Sequence, residues 1–355
     1  IYRVPYIWPL RWQKLVYPAI WPNLEKNPLL YLLVPVLLIS LFVGCIYLIK
    51  RHRIDLIYSH WFMPMGVACG TAAWVTGRPH VLTSHASDVS IMKKIPFFGP
   101  VITRCLLRRC QAITVAGSAG VPKILKFFKE TDHTTICEKI RVMSMGISKP
   151  KHFSNEEIRD YRSSWNFENS RLVVFLGRLA PKKGVSYLIK AFAKLDRKDS
   201  NLKLVIAGDG PLKQELAELC FEQGIDGCVS FLGFKQNPEK LALLRMANVV
   251  VIPSIITSSG DQEGMPVVLL EALSEGAIVI ATNESGAGDV IQDGVDGYLI
   301  ESQNVNSIIH AINKVLNLPD CKIKEIAVAG ESTAALYEWD CLIEKFYDHL
   351  IHEHS

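Results

Sequence analysis

The sequence predicts an α/β protein of two domains in series, each a doubly wound parallel sheet covered by helices. Three observations carry this. The chain has 355 residues, long for a single hydrophobic core, and its 49% apolar content is enough to fill two. Short apolar runs of strand length alternate with stretches of helix length, the pattern of βα units rather than of hairpins. The alternation is broken once, by the charged stretch 148–170 (SKPKHFSNEEIRDYRSSWNFENS), and then restarts.

In the first half the expected strands are IDLIY (54–58), HVLTS (80–84), QAITVAG (111–117) and IRVMSM (140–145), with helices over 66–75 and 100–110 between them. The charged stretch reads as a linker with a short helix. The second half continues with RLVVFLG (171–177), LKLVIAG (202–208), CVSFLG (228–233), VVVIP (249–253), AIVIAT (277–282) and a short strand at 298–300. Helices are expected over 184–195, 212–223, 238–246 and 266–274. The expected domains are 1–150, a linker 151–170, 171–335, and a C-terminal helix 336–355 crossing back to the first domain. In open α/β sheets ligands bind at the carboxyl ends of the strands, so the loops after each strand are where chemistry is sought.

Composition narrows the class. A formal net charge of +4 argues against a dedicated nucleic-acid protein. The nine cysteines, at 45, 69, 105, 110, 137, 220, 228, 321 and 341, form no CxxC or Cys/His metal spacing, which fits a reduced, cytoplasmic compartment without structural zinc. The chain opens on Ile1 with no secretory signal pattern, and an earlier N-terminal piece, with the first strand, is expected to be missing. Residues 29–49 carry no charge and end on Lys50, Arg51, His52 and Arg53. Three readings stand: a transmembrane span, a buried helix packed on the sheet that follows, or a helix lying on an anionic membrane. Pro35 is expected to kink it. A set of cations, Lys93, Lys94, Arg104, Arg108, Arg109, Lys123, Lys126 and Lys129, fits the third, with a helix face shared by the last three.

Four stretches could carry chemistry. In FLGRLAPKKG, Arg178 and Lys183 follow a strand end and precede a helix, two cations suited to a diphosphate. In GDQEGMPVVLLEALSEG (260–276), Pro266 opens a helix as its first residue. Glu263 lies in the loop before it and Glu271 in its second turn, and free backbone N–H groups from about 264 to 268 point at a ligand. In HVLTSHASDV, His85 follows a strand at the binding edge, with His60 similarly placed but structural. In IAGDGP, Gly208 lets a flat ligand approach the backbone, or simply makes a tight turn; no GxGxxG fingerprint is completed.

The order HASDV, VMSMGISKPKHF, GRLAPKKG, AGDGP, FLGF, IPSIITSSGDQEGMPVVLLEALSEG, GVDGYLI resembles the family-4 retaining glycosyltransferases, whose GT-B fold sets two Rossmann-like domains on either side of a cleft. The resemblance runs from about Asp55 to the end. It implies that Arg178 and Lys183 clamp a donor diphosphate and that Glu271 holds the ribose hydroxyls. It places Glu263 beside the transferred sugar and implies that the backbone of Gly264, Met265, Pro266 and Val267 meets sugar and phosphate. His85 would hydrogen-bond the donor sugar near its reacting carbon, so His85 and Glu263 are the catalytic candidates. The implied substrates are a nucleotide sugar and a glycan or lipid-linked acceptor, with no metal, no other cofactor and no nucleic acid. The implied setting is the cytoplasmic face of the inner membrane, by peripheral contact. Departures are Ala86 in HASD, Met145 where asparagine is usual, and SGAGD (285–289) in place of GGIPE, which marks the acceptor side as unusual. The competing readings are a sugar-nucleotide epimerase or phosphorylase on the same fold, and an inactive membrane-associated binding module.

Overall fold

The computed structural model describes residues 1–17, 20–85, 87–95, 97–195, 201–258 and 260–348. Ala86 and the last seven positions of the expected C-terminal helix lie outside the described residues. The chain forms two compact units. One comprises Ile1–Ala116, Gly120–Met143 and the chain from Tyr347; the other comprises Gly117–Ala119 and Ser144–Phe346.

The N-terminal unit holds a parallel sheet of β1 (Ile57–His60), β2 (His80–Ser84), β3 (Ala112–Val115) and β4 (Ile140–Val142) in the order β1-β2-β3-β4. The expected strands are therefore present. The reversal that makes a sheet doubly wound is not: among the described residues no strand precedes β1, so the sheet grows in one direction only. Its core gathers Phe62, Leu82, Met92, Leu107, Ile113 and Ile124 between the sheet and helices Phe98–Arg109 and Val121–Leu125. The latter helix is too short for the shared face expected of Lys123, Lys126 and Lys129; Lys126 caps it and Lys129 lies beyond.

The apolar stretch forms helix Leu33–His52, continuous with a 3₁₀ turn at Pro28–Leu32. Pro35 does not kink it, because it falls in the first turn, where its missing N–H has no partner to lose. Arg53 closes the helix in the left-handed conformation (φ 50°). One stripe, with Ile49, Cys45 and Phe42, packs on helix Val67–Thr76 and Ile57. A second stripe, with Leu37, Leu33, Val34 and Leu41, packs on Tyr6, Leu15 and Leu24, while Val36, Ile39, Val43 and Tyr47 are exposed. The most apolar 18-residue window has a mean hydropathy of 2.8 and only 11% of it is buried, against the buried-helix reading.

The C-terminal unit is built on β5 (Arg171–Leu176), β6 (Leu202–Ala207), β7 (Val229–Gly233), β8 (Val249–Ile252), β9 (Ile278–Thr282) and β10 (Tyr298–Ile300). All pairs are parallel, in the order β10-β9-β8-β5-β6-β7. Here the sheet is doubly wound, reversing between β5 and β8. The central strands read as unbroken apolar runs because both faces are covered. Val173, Phe175, Val249 and Val251 enter one core with Leu188 and Ile312. Leu172, Val174, Val250 and Ile252 enter the other with Leu244 and Leu270. Each such side chain contributes roughly 1.5–3 kcal/mol by leaving water.

The stretch 151–170 does not behave as a linker. Helix Asn155–Ser164 starts at a capping box of Ser154 and Glu157, and Tyr161, Trp165 and Phe167 pack on the second core. The change between units comes earlier, at Met143/Ser144. Near the C-terminus, Ile147 and Glu338 form a parallel bridge ahead of helix Trp339–Tyr347.

Candidate donor site of the C-terminal unit

The reversal in strand order brings the two cation- and carboxylate-bearing loops together. β5 and β8 are neighbours, so the loop after β5 (GRLAPKKG) and the loop after β8 (ending GDQEGMP) leave the same point of the sheet edge. That is the switch point at which such sheets take ligands. Between the ends of β5, β6 and β7 and helix Val267–Ser274 opens a cavity of about 790 Å³. Among its lining residues are Arg178, Gly208, Asp209, Phe234, Lys240, Val267 and Glu271.

Gly208 is needed where it stands. It has φ +146°, and a Cβ there would collide with the carbonyl oxygen of Gly177 at the end of the neighbouring strand. The floor of the cavity is thus two glycine backbones in close approach. Gly184 makes a similar close approach further along the loop. With φ +64° it caps the Pro181–Lys183 turn and starts helix Val185–Ala193 against the Pro253 carbonyl. Arg178 is exposed on the cavity wall and makes no ion pair among the described residues.

Lys183 has a partner. Its Nζ lies 2.9 Å from Glu263 Oε2, and Lys182 Nζ lies 3.5 Å from Glu263 Oε1 and 3.4 Å from Asp261 Oδ1. Glu271 also has one: Lys240 donates to its Oε1 at 2.6 Å, and both side chains are about one-fifth exposed. Lys240 stands on helix Glu239–Met246 and gave no signal in the sequence. Helical spacing alone does not tell which helix faces the second turn of Val267–Ser274.

Pro266 is the N-cap of that helix (φ −76°, ψ 119°) rather than its first residue, which is Val267. The free N–H groups inside the helix therefore begin at Val267 and Val268, while Pro266 has none to offer. The Met265 side chain points into the core, 8% exposed, leaving only its backbone for a ligand. Gly264 is partly buried in the loop before the cap.

His85 belongs to the N-terminal unit, at the end of β2. Its ring stacks on Trp61 (centroids 4.6 Å apart) and on His60 (5.9 Å). Burial lowers its pKa, with the Asp88 carboxylate opposing, so the ring stays neutral at pH 7. Trp61 sits at φ 70°, a strained conformation for a non-glycine residue. Asp88 closes the HASD motif, where the sequence assigns it no role, yet it organises this loop. It is 1% exposed and accepts from the backbone N–H of Phe62 (2.7 Å), His85 (3.1 Å) and Val89 (2.9 Å) and from the Ser84 hydroxyl (2.8 Å). An aspartate three residues past a histidine at a strand–helix junction is the pattern that could have found it. No cluster of three or more His, Cys, Asp or Glu side chains able to hold a metal occurs among the described residues.

Residues 157–330 match the family described as Glycosyl transferases group 1. A Campylobacter jejuni protein named as an α-1,4-N-acetyl-D-galactosaminyltransferase of a diNAcBac-PP-undecaprenol-linked glycan is 31% identical over 271 residues, 76% of this chain and 67% of that protein. A Methanocaldococcus jannaschii glycosyltransferase, MJ1607, is 32% identical over 238 residues, 65% of this chain and 57% of its own length. The crystal structure of HepE from Anabaena in complex with UDP and glucose superposes with TM-score 0.72 at 20% identity, covering 90% of this chain and 82% of that one. The fold is GT-B. The chain belongs to the group 1 glycosyltransferases, and it spans about 57% of the length of the archaeal relative.

Proposed function

We propose that the chain transfers a sugar from a nucleotide-sugar donor to a glycan or lipid-linked acceptor with retention of anomeric configuration. The observation that carries the reading is the cavity at the β5/β8 switch point. It sets an exposed arginine, a glycine floor and a carboxylate within one space of about 790 Å³, enough for a nucleoside diphosphate. The Campylobacter relative is named for an undecaprenol-linked acceptor, and the Anabaena structure holds UDP. Both support the same assignment of substrate classes.

In this reading the base and ribose occupy the space between Gly208 and Glu271, with the Glu271 carboxylate accepting from the ribose hydroxyls. The diphosphate lies towards Arg178 and Lys183 and over the N–H groups of Val267 and Val268. Reaction breaks the bond between the anomeric carbon and the diphosphate oxygen while the acceptor oxygen bonds to the same face of that carbon. The acceptor proton passes to the departing diphosphate. Charge accumulates on the leaving group, so fixed cations and N–H dipoles lower the barrier more than a protein base would. Glu263 and His85 are assigned to the transferred sugar, the backbone of Gly264, Met265 and Pro266 to its hydroxyls. The chemistry asks for no metal. The exposed apolar helix with its basic end fits peripheral contact with an anionic membrane at the cytoplasmic face, where a lipid-linked acceptor is found.

The test is release of nucleoside diphosphate from a panel of nucleotide sugars, with membrane lipid extract as acceptor. Wild type is compared with Arg178→Ala and Glu271→Ala. Losing either group should cost 10²-fold or more in kcat/KM, roughly 3 kcal/mol. Equal rates in all three proteins would remove the site assignment. Exchange of sugar epimers without acceptor would favour the epimerase reading, and donor binding without turnover the inactive module.

A further inference from the structure

We infer that Glu263 serves as the resident counter-ion of the diphosphate clamp and that the arriving diphosphate displaces it from Lys183. The inference rests on the donor-site reading above and adds a step to it.

Lys182, Lys183, Asp261 and Glu263 form one cluster, two cations against two carboxylates. Its inner pair, Lys183 and Glu263, is the tighter and the better shielded, at 2.9 Å with side chains 15% and 12% exposed. As it stands the cluster is neutral. A diphosphate brings two to three further negative charges, and a neutral cluster gives them no net attraction. A lysine held by a carboxylate keeps N–H donors to spare, but its charge is already compensated. Beyond the attraction of Arg178 and the helix N–H groups, this cluster adds its own only if a carboxylate leaves, and the two are not equivalent. Among the described residues the Asp261 carboxylate pairs only with Lys182, at 3.4 Å and 45% exposed, so water already screens it. Glu263 bridges both lysines, and its departure converts the cluster from neutral to net positive.

The backbone allows this movement. Glu263 lies in a loop outside any helix or strand, between Gly260 (φ +79°, with open space beside it) and Gly264. The lysines are fixed more firmly. Lys183 ends the turn closed by Gly184, and the Lys182 carbonyl accepts from the Ile255 N–H at 2.8 Å. The carboxylate is therefore the partner that moves. Before binding, the pair keeps Lys183 from lying unpaired in a partly buried site. On binding, the exchange turns the Glu263 carboxylate away from the phosphates at the moment the sugar arrives. Glu263 thus acts on the donor's phosphates by leaving them.

This makes a counterintuitive prediction. Removing the Glu263 charge strengthens diphosphate binding while it harms transfer. With UDP and GDP as probes in isothermal titration calorimetry, Glu263→Gln and Glu263→Ala of the full chain should each bind the better nucleotide about tenfold more tightly than wild type. Uridine and guanosine, which carry no phosphate, should bind all three proteins alike. Asp261→Asn should change affinity less than threefold. If wild type binds UDP or GDP but the Glu263 variants bind equally or more weakly, the counter-ion role is wrong and the donor site stands. If wild type binds neither nucleotide, the donor-site reading fails and takes the inference with it. Thermal melts show that each variant is folded before titration, and the two variants guard against failure of one.

Discussion

Replacing Glu275 by glutamine should stabilise the protein at alkaline pH and do nothing at acid pH. Glu275 caps the C-terminal end of helix Val267–Ser274 and is 2% exposed. Burial pushes its carboxyl up to about 7, opposed by Arg245 and by the Lys151 backbone N–H and reinforced by Glu331 and Glu271. Among the described residues, Oε1 has no hydrogen-bond partner. A carboxylate at a helix C-terminus is also disfavoured by the dipole. A carboxyl raised from 4.5 to about 7 carries a penalty of roughly 3 kcal/mol once fully ionised. The adjoining cavity of about 330 Å³, lined also by Arg245 and Glu331, admits water, so ~2 kcal/mol is the better expectation. The sign follows from proton uptake. Between pH 4.5 and about 7 the folded state holds this proton more tightly than the unfolded chain, so the group's contribution falls as pH rises through that window. Glutamine mimics the protonated form at every pH. Thermal melts at pH 5 and pH 8 should show no difference at the first and a rise of about 4–8 °C for the variant at the second. A rise of the same size at both pH values would mean that ionisation of Glu275 is not the cause.

Two further outcomes are expected. Gly208→Ala should cost ~3 kcal/mol or more in urea denaturation, because the methyl group meets the Gly177 carbonyl. Gly224→Ala, at φ +63° with open space around it, should cost only about 1 kcal/mol, and equal losses would refute the close-approach argument. In flotation with lipid vesicles the chain should rise with anionic but not with neutral vesicles, and aspartate at the exposed Ile39 and Val43 should abolish this. Flotation unaffected by those substitutions would exclude the helix as the contact.

Much of the architecture was legible because burial on both faces writes itself as apolar runs. RLVVFLG and VVVIP mark β5 and β8 to within a residue or so. Glycines and Pro266 likewise mark the loop ends closely. The pairings were not legible. That Lys183 meets Glu263, and Lys240 meets Glu271, depends on strand order and helix facing, which residue spacing does not encode. The charged stretch at 151–170 misled for a related reason. Its polar residues face water, while Tyr161, Trp165 and Phe167, spread among them, are enough to pack it on the core. Pro35 misled because a proline's effect depends on its distance from the helix start, and the start at Leu33 left no signal. Asp88 is visible within HASD but its role is not, because its work is done through backbone N–H groups, which have no letter in the sequence.

The central claim is that the cavity beside Arg178 and Glu271 holds a sugar nucleotide from which the sugar is transferred. Its most direct test is nucleoside diphosphate release from the donor panel by wild type and the two alanine variants. Release by wild type from at least one donor, reduced 10²-fold or more in both Arg178→Ala and Glu271→Ala with their thermal melts unchanged, is the result predicted. Release unaffected by either substitution would contradict it.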